Sequence, residues 1–343
     1  MCFVVAGIAL LGVNARSVSM RQRRPRFWRK VLENKLPVCA NTSPDRLSPA
    51  IRHLFDAFRA SPYAAAPERA RELKAIVAGS EICLHPDPLA ESWKFEAIPN
   101  LGKRIFVGNR TLERLWAYCY GYSTIITESQ KAGASELSAV ENKEEYQIAF
   151  AAVTWAHQEQ REHIEEPWPN WLPDPRMTRE LEHVHAANEI FLMTAGRILL
   201  HEIAHVVFAD AGISSPDPKE EEFRADEWAD KWMLDKWMDY GGDGLVFIKR
   251  CLGIACSHAP ALVLGFEPEQ PSLTHPPPIQ RVHSFLKRMG AGVPSAKRRR
   301  DFPAAFLWMI YLKTLVDKKV IQEQAAVPKS YVEAFSRYAS HFE

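Results

Sequence analysis

The chain has 343 residues, 47% of them apolar, enough to bury a substantial core. Lys and Arg number 43 against 42 Asp and Glu, for a net charge of +1. That balance offers no global field for drawing in nucleic acid, and no nucleic-acid partner is expected.

Residues 1–44 form an apolar and basic N-terminal segment. The apolar run Cys2 to Val13 precedes the basic cluster Arg21 to Lys30, the reverse of the charge order of a secretory signal, and is too short to span a bilayer. Two readings stay open: Met20 as an alternative start, or a weak anchor on a membrane surface. The basic clusters at Arg21 to Lys30 and at Lys297 to Arg300 read as solvated surface or a flexible arm, with an anion-facing patch as the alternative. Six cysteines, Cys2, Cys39, Cys83, Cys119, Cys251 and Cys256, are scattered without the density of a disulfide framework, which suits a reducing compartment.

From about Asp45 onward helical patterning prevails, so the expected fold is mainly α, an α+β chain with few strands. Pro62 to Pro99 reads as short elements joined by turns, with a helical stretch around Glu68 to Val77. Arg104 to Val107 is a predicted strand, after which Gly108 and Asn109 turn the chain into a helix with Thr111 as N-cap. Trp116, Tyr118, Tyr120 and Tyr122 on that helix read as packing. Helical patterning resumes from Glu141 to Arg161 and stops in a connector rich in proline and tryptophan, Glu165 to Met177. There the boundary is placed between a helical N-terminal region, 45–170, and a second region, 171–343, which carries the motifs that follow.

Thr178 to Asp210 reads as one long helix whose second half, IFLMTAGRILLHEIAHVVFA, is apolar almost all round and therefore buried. Arg197, His201, Glu202 and His205 make membrane insertion of this stretch expensive, so no stable membrane insertion is expected. His201 and His205, four apart, are neighbours on one face, a spacing that lets two imidazoles converge on one Zn²⁺. Glu202 is rotated by about 100° of helix turn, so its carboxylate reaches a water at the metal without occupying the metal. The pattern is H-E-x-x-H, in which zinc acidifies water, the glutamate takes its proton and the hydroxide attacks a polarised carbonyl.

A catalytic zinc site takes a third protein ligand. Gly212 and the following serine-proline stretch form a turn, and Ser215 or Asp217 caps a second helix beginning near Pro218. On it Glu222, Ala225, Asp226, Ala229, Trp232 and Met233 share one face, which puts two carboxylates on the apolar side. Burying a carboxylate is costly unless it is paired or binds metal. Glu222 is accordingly read as the third ligand and Asp226 as an acceptor for a ligand histidine. Glu220 and Glu221 are read as complements to the helix N-terminus. His275, held ahead of three prolines and a helix bearing Arg281, is read as a donor to the oxyanion of the transition state. Cys251, Cys256 and His258 approximate a metal spacing, but the gap is wide and no second pair follows, so they read as ordinary helix residues. His183, His185 and His283 are read as non-ligands.

The order HEIAH, then EFRAD, then THPPP before an arginine-bearing helix resembles the gluzincin peptidases of the HtpX-like and CAAX-prenyl-protease type over about Ile198 to Leu286. The chain lacks the long membrane spans of those enzymes. FLMTAGRILLHEIAHVVFAD, EEEFRADEWADKWML, HPPPIQRVHSFL and TLERLWAYCYGY together are similar to the bacterial phage-exclusion peptidases of the Lit type, over about Arg104 to Val316. That resemblance implies zincin-like helices and a cytoplasmic bacterial zinc endopeptidase with one Zn²⁺ per chain and a protein substrate, elongation factor Tu in the archetype. It implies His201, His205 and Glu222 as ligands and Glu202 as base. Two alternatives stay open: a regulatory peptidase that cleaves a repressor, and a non-catalytic binding protein stabilised by zinc.

Overall fold

The computed structural model describes residues 34–40, 42–87, 95–98, 103–132, 143–162, 168–178, 181–240, 244–264 and 273–292. The apolar run Cys2 to Val13 and the basic clusters at Arg21 to Lys30 and Lys297 to Arg300 lie outside them.

Ser48 opens the first helix, α1 (Pro49–Ala65), its hydroxyl accepting from Ile51 N–H while Pro49 fills the first turn, where no amide donor is needed. A short helix α2 (Ala70–Gly79) leads to strand β1 (Cys83–Asp87), followed by β2 (Phe95–Ile98) and β3 (Arg104–Gly108). The three form a sheet in the order β1-β3-β2, with β1 parallel and β2 antiparallel to β3. The strand expected from Arg104 to Val107 is thus present, whereas β1 and β2 had no clear alternating pattern to announce them. Cys83 at the start of β1 is joined by a disulfide to Cys39. This bridge departs from the reading of scattered, unpaired cysteines: 44 residues separate its halves, a distance over which sequence carries no pairing signal.

Helix α3 (Asn109–Ala132) begins at Asn109, so Thr111 is a buried first-turn residue and not the cap. The Asn109 side chain instead accepts from Ser48 N–H at 2.8 Å, tying the start of α3 to the cap of α1. Trp116 stacks on Tyr120 and Tyr118 on Tyr122, all four buried, so the aromatic stripe is packing. Helix α4 (Glu144–Glu162) lies against α3.

The long apolar helix is α5 (Glu182–Asp210). It starts four residues later than expected, because Leu181 is extended (φ −124°, ψ 112°) and cannot continue a helix backwards. It packs against α1, α3, α6 (Pro218–Leu234), α7 (Gly244–Leu264) and β2, which makes it the central helix. Close approach is possible at Gly196, where a Cβ would meet Ser61 O of α1 at 2.7 Å. The helix is long and apolar enough to cross a membrane, yet 78% of its most apolar window is buried inside the protein. Its buried Asn188 has partners: it accepts from the Trp116 indole at 2.6 Å and donates to Pro175 O at 2.9 Å. After α5, Gly212 (φ 63°) supplies the left-handed turn that sends the chain back. Asp217 caps α6 by accepting from Lys219 N–H. The last described helix, α8 (Pro278–Gly292), packs on α6 and α7.

Candidate metal centre

His201 and His205 lie one turn apart on α5 with their Nε2 atoms 3.2 Å from each other and their rings 83° apart. Helix α6 runs back beside them and delivers Glu222, whose Oε2 is 3.4 Å from His201 Nε2 and whose Oε1 is 3.3 Å from His205 Nε2. Donor atoms about 2.05 Å from one tetrahedral ion stand about 3.3 Å apart, since the edge of a tetrahedron is about 1.63 times its radius. The three separations are close to that value, with Glu222 offering a different oxygen to each histidine, so the group is of a size to hold a metal ion. Among the described residues this is the one group able to hold a metal.

Behind each imidazole stands a carboxylate. His201 Nδ1 is 3.0 Å from Asp226 Oδ1, within reach although the ring is not turned into a straight hydrogen bond. Asp226 is fully buried and gripped from two sides, by Arg281 Nε and Nη2 at 2.6 and 2.7 Å and by Arg197 Nη2 at 2.5 Å. Arg197 also donates through Nε to the buried Asp230, which Arg288 holds from the other side. Arg281 extends Nη1 to within 3.4 Å of Glu222 Oε2, so one guanidinium serves two carboxylates of the site. His205 Nδ1 is 3.1 Å from Glu221 Oε1, and Glu221 Oε2 accepts from Ser215 N–H.

Burial works against charge on His201, yet hydrogen bonds to Asp226 and Glu222 outweigh it and raise its pKa to about 9 in the metal-free protein. Burial would raise Glu222 and Asp226, but His201, His205 and Arg281 hold Glu222, and Arg197, Arg281 and His201 hold Asp226, well below the carboxylate range. Glu202 differs: burial dominates and pushes its pKa up, only partly offset by the two histidines and by Ala97 N–H, which donates to Oε2 at 2.7 Å.

The structure therefore brings His201, His205 and Glu222 together, with Glu202 beside them and Asp226 behind His201. His275 sits at the rim, its side chain 57% exposed, with Nε2 3.7 Å from Glu222 Oε1 and Nδ1 2.8 Å from Thr274 Oγ1. Cys251, Cys256 and His258 are buried on α7 and are not members of the metal group, and burial holds His258 uncharged.

Residues 105–299 match the family model described as Peptidase U49, more than half of the chain. The chain belongs to the Peptidase U49 family. It is 29% identical over 246 residues to the cell death peptidase of Escherichia coli (strain K12), a span covering 69% of this chain and 80% of that protein. No solved structure matches. The resemblance to Lit-type peptidases is borne out, and with it a peptidase role.

Three groups escaped the reading from sequence. Glu221, assigned to the helix N-terminus, turns to His205, because the α5–α6 turn brings the first turn of α6 level with that ring. Asp230 follows Asp226 by four residues, a spacing that marks the same face and was available as a signal. The amide of Ala97, 105 residues from Glu202, left no trace in the sequence.

Proposed function

We propose that the protein is a zinc-dependent endopeptidase that cleaves a specific intracellular protein, with one Zn²⁺ held by His201, His205 and Glu222. The observation that carries this reading is the set of 3.2 to 3.4 Å separations between the two imidazole Nε2 atoms and from each of them to one oxygen of the Glu222 carboxylate, with the buried Glu202 carboxylate next to them and outside these contacts. When bound, the ion supplies Lewis-acid polarisation of the scissile carbonyl and acidifies water.

Glu202 is the general base. It takes a proton from the attacking water as the water oxygen bonds to the carbonyl carbon, and gives that proton to the amide nitrogen as the C–N bond breaks. Its burial raises its proton affinity in the direction this exchange requires. Asp226 and Glu221 orient the two ligand imidazoles. His275, with Nε2 at the rim, donates to the oxyanion. Among the described residues β2 is an edge strand, and an antiparallel ladder alternates, so Ala97, whose N–H faces Glu202, points its C=O away from β3 as well. An extended substrate segment has a backbone acceptor there. The name of the Escherichia coli relative, cell death peptidase, supports a role in cell death; the resemblance to Lit-type peptidases extends this reading to phage exclusion, with elongation factor Tu as the first substrate to test.

The test compares wild type with Glu202→Gln, scoring zinc by elemental analysis and new protein termini in a bacterial lysate by terminal-peptide proteomics. About one zinc in both proteins and products from wild type alone is the expected result. Zinc in neither would remove the site assignment. Zinc in both with no cleavage by either would leave zinc as a structural staple of a binding protein.

A further inference from the structure

Glu202 is 7% exposed on an apolar helix, where a carboxylate with no donor would be driven to protonate or to swing out of place. The hydrogen bond that steadies it comes from backbone, the Ala97 N–H of edge strand β2, at 2.7 Å. We propose that this amide is a positioning group for the catalytic base, pinning Oε2 so that Oε1 alone faces the attacking water. The proposal rests on the peptidase reading for its catalytic consequence, and on the contact itself for its geometry.

Two features make the strand a fixed support. Ala97 is in register with Ile105 of β3, and its N–H is turned outward, so the bond to Glu202 takes nothing from the ladder. The residue that leads into β3, Lys103, pairs with Asp210 at 2.9 Å at the other end of the same helical segment. Glu202 and Asp210 are about two turns, roughly 12 Å, apart on α5. The sheet is therefore fastened to α5 at two points, one of which is the base. A side-chain donor in place of Ala97 N–H would have rotamers of its own; a backbone amide in a paired strand has none, and this narrows the directions open to the carboxylate.

Proline offers a specific test, because Ala97→Pro removes the N–H, keeps the C=O and breaks no bond to β3. The comparison is with Ala97→Ser, which keeps the amide. Both are read for zinc content, melting temperature, and the rate of appearance of new termini in a bacterial lysate at several lysate concentrations. The expected result is equal zinc and a maximal rate about 10- to 100-fold lower in Ala97→Pro, with half-saturation unmoved, as for loss of a hydrogen bond to a charged group. Equal maximal rates, or a shift in half-saturation alone, would overturn the proposal while leaving the peptidase reading in place.

Hydrogen exchange of the Ala97 amide decides the contact without reference to activity and without reliance on the proline variant. Glu202→Ala should speed exchange of that amide by about 10-fold or more, leaving the amides that bond β2 to β3 unchanged. Exchange at Ala97 that is already fast in wild type, or indifferent to Glu202→Ala, would overturn the proposal even if no substrate is cleaved by any variant.

Discussion

His201 and His205 present the same atom to the same point, yet they are supported in opposite ways. Behind His201 lies a fully buried aspartate held by Arg197 and Arg281, with a second aspartate and Arg288 beyond it. Behind His205 lies a partly exposed glutamate, held by a single backbone amide in the α5–α6 turn. The first support is an interior ion cluster in a region of low dielectric, where losing one partner strands the others. The second is a rim contact that water can replace. In the proposed metal site His201 is a ligand that the fold dictates and His205 a ligand that the fold merely assists.

The largest effect should follow from breaking the interior support. Asp226→Ala leaves Arg197 and Arg281 without their shared carboxylate, and should cost the metal-free protein about 3–5 kcal/mol in denaturant unfolding. Zinc affinity should sharpen the contrast. Asp226→Asn, which keeps the shape, should weaken binding by about 10- to 100-fold, and Glu221→Gln by about 10-fold or less, in competition with a chelator.

Acidity tests the same asymmetry. His201 has its pKa raised to about 9, so in the metal-free protein the proton stays on below that value, and a zinc ion binding at the proposed site has to displace it. The stability this proton adds is fully present below the ordinary histidine value and is lost as pH rises through about 9. Zinc affinity should accordingly climb about 10-fold per pH unit through neutrality, measured by chelator competition at pH 6, 7 and 8. Asp226→Asn should flatten that slope. The smallest effect belongs to the rim: Glu221→Gln should change the unfolding free energy by less than about 1 kcal/mol.

How much could be read in advance depended on the range of each interaction. H-E-x-x-H was legible because helical spacing alone sets His201 beside His205 and turns Glu202 aside. Glu222 and Asp226 were legible because carboxylates on the apolar face of α6 need a partner. Asp230 carried the same signal four residues on. Glu221 did not, since a glutamate in a first helical turn has an ordinary explanation, and only the α5–α6 turn shows that it faces His205. Thr111 looked like a cap, but a cap is decided by where the strand before it ends, and β3 ends at Gly108.

What the sequence by itself determined is the local part: a long apolar helix, the order of the candidate ligands along two successive helices, and the kind of chemistry such residues suit. Periodicity and burial act within a few turns, and the amino-acid order records them directly. The tertiary structure decided what lies across the site. Strand β2 against Glu202, Arg281 bridging Asp226 and Glu222, and Cys39 joined to Cys83 all connect residues far apart in the chain. Such contacts arise from how helices and strands stack, and no spacing in a single sequence encodes them.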